Sequence, residues 1–327
     1  MDSYSLARPI LFALDAERAH NWGISLLRFA PKISAEPMPV RTRLGELANP
    51  LGLAAGYDKT GKHIHELARL GFGYISAGTF TISPWPGNPK PRVARNVKEK
   101  ALVNALGFPN PGIDEFIRNV SRLGARAPPI VASISGRTAE DILGCYRKVQ
   151  GHVAGVELNL SSPNTAKLVD LREPSAFSQL AESLKQAKAK PTYLKVPPYQ
   201  NETSFESTLA MVRRWESLGF EGVTASNSVP ITDARMAIGT GGYSGPPLFE
   251  KTKAAVESIR RSVSEQFEVN AVGGVSGAAD VAELLKLGAT TVQVFTALVY
   301  QGPSLMKRML TDSATRQVVA ERSSKRP

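Results

Sequence analysis

A polar cluster at residues 159–165 is the part of this sequence best suited to chemistry. It combines asparagine amides with serine hydroxyls and directly follows the largely apolar run 155–158, where a buried strand should give way to a loop. An asparagine amide both donates and accepts hydrogen bonds, and a serine hydroxyl can pass a proton in either direction. Such a cluster can bind a planar polar ring and handle one of its protons. A simple strand-end turn uses the same residue types and is the alternative interpretation.

Further candidates follow other predicted strands. Gly273 and Gly274 come after the seventh strand, and Phe295 and Thr296 stand at the end of the eighth. Glycines and a hydroxyl at these positions, beside a helix N-terminus, are typical of the phosphate site of a (β/α) barrel, which predicts a phosphorylated substrate or a cofactor such as FMN. Lys195 lies at the end of the β-rich run 193–196. A fixed cation at this strand end could stabilise a reduced flavin. A Schiff-base lysine in an aldolase-type enzyme is the rival interpretation.

The elements that must position these residues alternate between β-rich and helical segments. The β-rich runs are 51–55, 73–77, 129–134, 155–159, 192–196, 222–225, 269–272 and 291–295. Helical patterns between them cover 59–70, 112–123, 175–189, 204–218, 247–262 and 278–287. Eight βα units in one chain predict an α/β fold of the closed (β/α)8 TIM barrel type rather than an open, doubly wound sheet. The candidate residues then meet at the carboxyl ends of the strands.

Residues 1–35 predict a small helical extension ahead of a barrel domain at 36–327. The second helix starts at Ala16, with Asp15 as its N-cap. Its apolar face holds Ala19, Trp22, Leu26 and Phe29, and another face holds Arg18, Asn21, Ser25, Arg28 and Lys32. This pattern is typical of a helix lying on a membrane, although packing against the barrel would give a similar stripe. Residues 36–49 show no sustained period and are expected to be a connector.

Composition restricts the function classes. The single cysteine, Cys145, excludes an internal disulfide framework, and no cysteine or histidine cluster predicts a metal site. The net charge of +11 is spread along the chain without a nucleic-acid motif, so nucleic acid is not an expected partner. No apolar run approaches the ~20 residues that span a bilayer. The tail at 321–327 is expected to be a frayed, solvated end.

Several segments together resemble the dihydroorotate dehydrogenase family, more its membrane-associated class 2 than its soluble class 1. They are residues 14–20, 49–59, 78–79 with 87–92, 159–165 and 241–245. The resemblance implies an FMN-dependent barrel that oxidises (S)-dihydroorotate to orotate in pyrimidine biosynthesis and passes the electrons to a membrane quinone. It also implies a peripheral membrane protein, on the cytoplasmic face of a bacterial cell membrane or on the mitochondrial inner membrane of a eukaryote.

The same resemblance implies a role for individual residues. Ser162 matches the catalytic base, which is Cys in class 1. The positions matching the orotate site are Lys59, Asn104, Ala105, Leu106, Gly107, Phe108, Asn159, Asn164, Asn227 and Ser228. Those matching the FMN site are Ala55, Gly56, Tyr57, Asp58, Lys59, Thr79, Ser133, Asn159, Lys195, Ser226, Gly245, Gly274, Phe295 and Thr296. Positions lining a quinone tunnel are matched by His20 and Arg95.

This chemistry suits the residue types, because dihydroorotate must lose a proton from one ring carbon and a hydride from its neighbour. Three departures stand out: residues 104–112 look closer to class 1, Ser133 stands where the family usually has Asn, and Phe295 replaces a common Tyr. They leave open a divergent FMN oxidoreductase of the same fold that acts on another cyclic amide or uses a soluble acceptor.

Overall fold

The computed structural model describes residues 3–124, 127–162 and 170–325. Its strands in chain order are β1 (Val40–Thr42), β2 (Gly45–Leu47), β3 (Leu51–Leu53), β4 (Tyr74–Phe80), β5 (Val93–Asn96), β6 (Ala101–Asn104), β7 (Ile130–Ile134), β8 (Gly155–Asn159), β9 (Thr192–Lys195), β10 (Gly222–Ala225), β11 (Val229–Thr232), β12 (Thr240–Ser244), β13 (Glu268–Val272) and β14 (Thr291–Val294). Its helices are α1 (Ser3–Ala13), α2 (Ala16–Leu26), α3 (Ile64–Ala68), α4 (Ile113–Val120), α5 (Ala139–Val149), α6 (Pro174–Ala187), α7 (Glu202–Ser217), α8 (Phe249–Ser262), α9 (Ala278–Lys286), α10 (Thr296–Gln301), α11 (Ser304–Thr311) and α12 (Ser313–Lys325).

Eight parallel strands close into a barrel in the order β3, β4, β7, β8, β9, β10, β13, β14, and β14 pairs back onto β3. The predicted (β/α)8 barrel is therefore confirmed, and every predicted barrel strand overlaps an observed one. Strands β4, β7 and β8 are buried along their whole length, because helices cover their outer face and side chains fill the interior. This double burial explains why their sequences read as nearly continuous apolar runs.

Helix α3 is much shorter than the helical segment predicted at 59–70. The carboxylate of Asp58 organises the missing part as a loop: Oδ1 accepts from the amides of Thr60 at 2.8 Å and Gly61 at 2.9 Å. Oδ2 accepts from the amide of His63, also at 2.9 Å. An acidic side chain that satisfies three backbone donors competes with the helical hydrogen bonds, so the helix starts only at Ile64.

Residues 36–49, which were expected to be a connector, carry secondary structure of their own. They contain an antiparallel hairpin in which β1 pairs with β2, Val40 opposite Leu47. Strands of three residues are too short to show a period, which is why the sequence pattern missed them. Leu47 is fully buried with Tyr74 and Val131, so the hairpin closes one end of the barrel.

A second antiparallel sheet, which the sequence did not predict, is built from β5, β6, β11 and β12. The first two strands are inserted between β4 and β7, and the other two between β10 and β13. Val103, Ala105 and Met236 form a small core of their own within it. This accessory sheet follows the carboxyl ends of β4 and β10 and therefore extends the wall of the barrel mouth.

Both N-terminal helices are present, and the second begins at Ala16 as predicted, where Asp15 caps it by accepting from the amides of Glu17 and Arg18 at 3.0 Å each. Side chains of β5 and the loop before it hold them in place. Arg95 Nη1 donates to the carbonyl oxygens of Phe12 at 3.1 Å and Leu14 at 2.9 Å, at the end of α1. Glu17 forms a 2.7 Å ion pair with Arg92. The helices are thus attached to the barrel mouth by specific polar contacts.

The expectation of a frayed tail from residue 321 is wrong as far as residue 325. Helix α12 continues to Lys325. Arg322 Nη1 donates to the carbonyl oxygens of Leu285 at 2.9 Å and Ala289 at 2.5 Å. Polar contacts to the end of α9 therefore fix a segment whose composition alone suggested a solvated end.

Candidate active site

A cavity of about 910 Å³ lies between the carboxyl ends of the barrel strands and the N-terminal helices. The barrel contributes polar wall residues such as Asn159, Ser162 and Lys195, while α1 and α2 contribute apolar ones such as Leu11 and Ile24. The cavity therefore joins the polar cluster identified in the sequence to the helical extension. A volume of this size can hold a cofactor together with a small substrate.

Most of the predicted site residues border this cavity. They are His20, Ala55, Gly56, Tyr57, Asp58, Lys59, Thr79, Arg95, Asn104, Leu106, Gly107, Phe108, Asn159, Ser162, Lys195, Ser226, Asn227, Ser228, Gly245, Gly274, Phe295 and Thr296. Two predicted residues do not reach it, Ala105 and Ser133. Ala105 is 1% exposed and packs in the small core of the accessory sheet. Asn164 lies outside the described residues.

Ser133 lies next to a residue that lines the cavity but does not line the cavity itself. It is fully buried, and its hydroxyl lies 3.1 Å from Thr79 Oγ1. Thr79 Oγ1 in turn accepts a 2.9 Å hydrogen bond from Asn159 Nδ2. Ser133 therefore contacts Thr79, which lines the cavity, without bordering the cavity itself, and its contact with a cofactor stays a prediction.

Ser161 supports the site without bordering the cavity, and sequence reasoning did not single it out. Its hydroxyl accepts a 3.0 Å hydrogen bond from Asn227 Nδ2, which links the end of β8 to the end of β10. Asn227 Oδ1 accepts from the Ser228 amide at 2.8 Å, so both ends of the Asn227 amide are oriented. Ser162, the next residue in the chain, is 8% exposed and borders the cavity. The signal was present in the sequence, since Ser161 belongs to the same polar cluster.

Lys59 places a titratable cation in the wall. Its Nζ donates to the carbonyl oxygen of Gly56 at 2.5 Å. Burial of the ammonium is the main cause that lowers the pKa of Lys59 to about 8, and repulsion by Arg92 adds to it while Glu17 and Asp58 oppose it. The charge of this lysine is therefore sensitive to pH just above neutrality.

The glycines predicted to approach a phosphate adopt conformations that require glycine. Gly274 has φ +77°, and a Cβ there would lie 2.3 Å from the backbone nitrogen of Phe249, where α8 begins. The Thr296 hydroxyl lies 3.0 Å from that of Ser244. Ser244 also borders the cavity although it was not named from the sequence, where it lay inside the segment 241–245. Backbone and hydroxyl groups therefore line this end of the cavity.

An aromatic series runs from α2 to the end of β14. The ring centroids of His20 and Tyr57 are 5.0 Å apart, and those of Tyr57 and Phe295 are 5.2 Å apart, both edge to face. Burial, together with the charge of Lys59, lowers the pKa of His20 to about 3. The imidazole is therefore neutral at pH 7. The series connects the helical wall of the cavity to the strand ends that carry the glycines.

The comparisons with known proteins decide the family. The family model described as dihydroorotate dehydrogenase matches residues 41–315. The chain is 35% identical to the dihydroorotate dehydrogenase (quinone) of Neisseria meningitidis serogroup C, over 94% of this chain and 98% of that protein. The chain belongs to the dihydroorotate dehydrogenase family. It is also 34% identical to the dihydroorotate dehydrogenase (quinone) of Stenotrophomonas maltophilia, with 99% of each chain covered.

A solved structure of the family agrees in fold. The DHODH of Eimeria tenella in complex with ferulenol superposes with a TM-score of 0.82 at 22% identity, over 97% of this chain and 95% of that one. The relatives named above are quinone-dependent members, as the class 2 resemblance predicted. Membership of this family indicates a flavin cofactor. It favours the flavin interpretation of Lys195 over the Schiff-base alternative.

Proposed function

We propose that this chain oxidises (S)-dihydroorotate to orotate in pyrimidine biosynthesis, with FMN as its cofactor and a membrane quinone as the final acceptor. The observation that carries the proposal is the cavity itself. It joins Ser162, Lys59 and the asparagines at the barrel mouth to the apolar wall of α1 and α2. A polar substrate and an apolar acceptor can therefore approach one buried site from different sides.

The residues of the cavity fit a flavin phosphate ester. Lys195 is 7% exposed and has no hydrogen-bond acceptor among the described residues, so its ammonium is available to a polar ring edge. Thr79, Asn159 and Ser226 supply further polar atoms near the strand ends. The backbone at Gly245 and Gly274, with the Thr296 hydroxyl, would hold the phosphate. FMN supplies the hydride acceptor that no amino-acid side chain can provide.

The remaining residues would bind and deprotonate the substrate. Lys59 pairs with the substrate carboxylate, and Asn104, Asn159 and Asn227 form hydrogen bonds with the amides of the ring. Ser162 removes the proton from the ring carbon, since its hydroxyl borders the cavity beside the oriented asparagines. Asn164, outside the described residues, is proposed as a further substrate contact on the resemblance alone. The asparagines fix the ring so that the proton and the hydride leave towards different groups.

The N-terminal segment, residues 1–35, would provide the membrane and quinone contacts, while residues 36–327 carry catalysis. Large apolar side chains lie exposed on α1, α2 and the turn after α2: Leu6 at 65%, Ile10 at 70%, Trp22 at 62%, Leu26 at 52% and Phe29 at 72%. Arg18, Asn21, Ser25, Arg28 and Lys32 are exposed as well. Such a surface suits the periphery of a membrane.

The side chains by which α2 and the turn after it pack inward only partly match the apolar stripe seen in the sequence. Ile24 and Leu27 belong to the core of the barrel, and Ala19 is buried, whereas Trp22, Leu26 and Phe29 point away. Ile24 and Leu27 therefore make the packing contact with the barrel, and the exposed side chains are left for the proposed membrane contact. Among the described residues no helix is long and apolar enough to cross a bilayer. We place the protein at a membrane surface, on the cytoplasmic face of a bacterial cell or on the mitochondrial inner membrane of a eukaryote.

The proposal is tested by comparing electron acceptors. Purified protein is supplied with dihydroorotate and, in parallel assays, with a long-tail quinone, fumarate or NAD⁺, while orotate formation is followed. We expect orotate to form with the quinone and only slowly with the soluble acceptors. Turnover with fumarate or NAD⁺ at the quinone rate would contradict the quinone assignment, and protein that holds no FMN would contradict the cofactor.

A further inference from the structure

The barrel interior carries a buried ion pair, and the proposed reaction gives a role to its lysine but none to its carboxylate. Glu157 lies on β8 and Lys195 ends β9, the neighbouring parallel strand. Lys195 Nζ is 3.9 Å from Glu157 Oε1, and the two side chains are 8% and 1% exposed. The separation is that of an ion pair and exceeds that of a hydrogen bond.

The carboxylate of Glu157 is otherwise unsatisfied. Neither of its oxygens has a hydrogen-bond partner among the described residues. Glu268 on β13 shows the contrast, since its carboxylate accepts from the amide of Arg43 at 2.7 Å and from the hydroxyl of Tyr193 at 2.8 Å. A buried charge without hydrogen bonds strongly disfavours the folded state unless an opposite charge compensates it. For Glu157 that opposite charge is Lys195.

Lys195 faces in two directions. One side of its ammonium is turned towards Glu157, and the side chain also borders the cavity with Asn159 and Ser226. The ammonium therefore lies between a fixed carboxylate and the acceptor atoms of any ligand in the cavity. A negative charge that develops in the cavity competes with Glu157 for the same cation.

We propose that Glu157 is a positioning residue that sets the reduction potential of the bound flavin through Lys195. The inference rests on the proposed function, in which Lys195 contacts the flavin ring. Two-electron reduction adds negative charge to that ring, and a nearby cation stabilises the charge. Glu157 cancels part of this stabilisation, which keeps the potential lower than Lys195 alone would make it. Electrons then pass more readily from the reduced cofactor to the quinone.

The variant that tests this is Glu157→Gln, which keeps the size of the side chain and removes its charge. The reduction potential of the flavin is measured on the purified holoprotein by anaerobic equilibration with reference dyes. We expect the potential to rise by about 30 mV, which corresponds to a tenfold change in the equilibrium constant of the two-electron couple. An unchanged potential with flavin bound would overturn the proposal.

Glu268→Gln is the matched control. It removes another buried carboxylate of the barrel, one that is bonded to Tyr193 and Arg43 and not to Lys195. We expect its flavin potential to stay at the parent value. If Glu268→Gln raises the flavin potential as much as Glu157→Gln does, any buried carboxylate of the barrel has this effect. The specific role of Glu157 would then be wrong.

Thermal unfolding of the flavin-free proteins gives an independent test. Glu157→Gln, Lys195→Met and the double variant form a cycle. Each single change leaves a buried charge unpaired, so we expect the double variant to melt higher than either single one. Because it needs no bound flavin, this comparison also tests the pairing if the Glu157→Gln protein is too unstable to hold flavin. Additive effects would overturn the pairing. A parent protein that binds no flavin contradicts the proposed function, whereas a yellow parent with an additive cycle contradicts only the role of Glu157.

Discussion

His20 Nε2 donates a 2.8 Å hydrogen bond to the carbonyl oxygen of Tyr57. This contact attaches α2, which we propose meets the quinone, to the loop that also carries Lys59. Burial lowers the pKa of His20 to about 3, so the imidazole stays neutral well below neutral pH, and the bond to the carbonyl requires its proton on Nε2. Burial lowers the pKa of Lys59 to about 8, so the charge of this lysine changes close to physiological pH.

Ser162→Ala tests the catalytic base. Loss of a general base typically slows the chemical step by ~10²–10⁴-fold. We expect the flavin-reduction step with dihydroorotate to slow by that order while FMN occupancy and thermal stability stay at the parent values, because other groups hold the flavin. Anaerobic stopped-flow at the flavin absorbance measures the step. If the flavin of this variant is bleached at the parent rate, Ser162 is not the base and is only a turn residue.

Ser162→Cys is the companion variant. A thiol ionises more readily than an alcohol, so we expect partial activity with a different pH dependence of flavin reduction. Ser161→Ala serves as the control for the neighbouring hydroxyl. Because Ser161 orients Asn227 through a 3.0 Å bond, its loss should raise KM for dihydroorotate more than it lowers the rate of flavin reduction.

The lowered pKa of Lys59 predicts that binding of the substrate depends on pH. The protonated form binds the substrate carboxylate, and its pKa of about 8 in the free protein means that the cation is lost as pH rises through this value. Above it we expect kcat/KM for dihydroorotate to fall by about tenfold per pH unit, as for the loss of one essential proton. Steady-state kinetics over a series of pH values measure the profile.

The control for this profile is Lys62→Met. Lys62 lies on the same loop, but its side chain is 56% exposed and pairs with Glu115. We expect Lys62→Met to keep the parent profile and Lys59→Met to lose both most of kcat/KM and its alkaline limb. A parent profile that stays flat well above pH 8 would show that Lys59 does not bind the carboxylate as a cation.

Arg95→Gln tests the attachment of α1. The guanidinium donates to the carbonyl oxygens of Phe12 and Leu14 and lies 4.7 Å from the centroid of the Phe12 ring. Without it we expect faster hydrogen exchange of the α1 amides and a higher KM for long-tail quinone, with flavin reduction by dihydroorotate unchanged. Arg118→Gln, an exposed arginine paired with Glu115 on α4, is the control. Unchanged exchange of α1 in Arg95→Gln would refute the attachment.

The exposed aromatic residues of the N-terminal segment predict membrane binding. Trp22→Ser combined with Phe29→Ser should weaken binding to liposomes that contain anionic lipid and leave turnover with a short-tail quinone near the parent rate. Val97→Ser changes a residue that is 60% exposed and lies outside the two helices, so it should have no effect on binding. Sedimentation with liposomes decides between these outcomes, and equal binding of both variants would contradict the membrane surface. These substitutions are preferable to deletion of residues 1–35, because Ile24 and Leu27 belong to the barrel core.

The barrel and its mouth could be predicted because their signals are local. Each barrel strand is a short apolar run, as at Gly155–Asn159, and parallel strands bring their carboxyl ends to one side whatever the details of packing. The convergence of Asn159, Lys195 and Asn227 follows from strand order alone. The accessory sheet could not be predicted in this way. Asn104 pairs with Gly242, far along the chain, and no local pattern records such a partner.

The sequence also did not show which side chains reach the cavity and which are engaged by their neighbours. Ser133 occupies a position that the resemblance assigns to the cofactor, yet it is fully buried and contacts Thr79, which lines the cavity where Ser133 does not. Asp58 borders the cavity, but its carboxylate is engaged by the backbone of the following loop. In both cases the sequence position alone did not show which neighbour the side chain meets. The role of the residue depended on that neighbour, which only the packed structure shows.

The most direct test of the account is anaerobic addition of (S)-dihydroorotate to the purified, oxidised protein, with the flavin absorbance recorded and the product quantified. We predict that the flavin is bleached and that one orotate forms per flavin reduced. A bound flavin that remains oxidised with dihydroorotate, yet is bleached by dithionite, would contradict the proposed reaction.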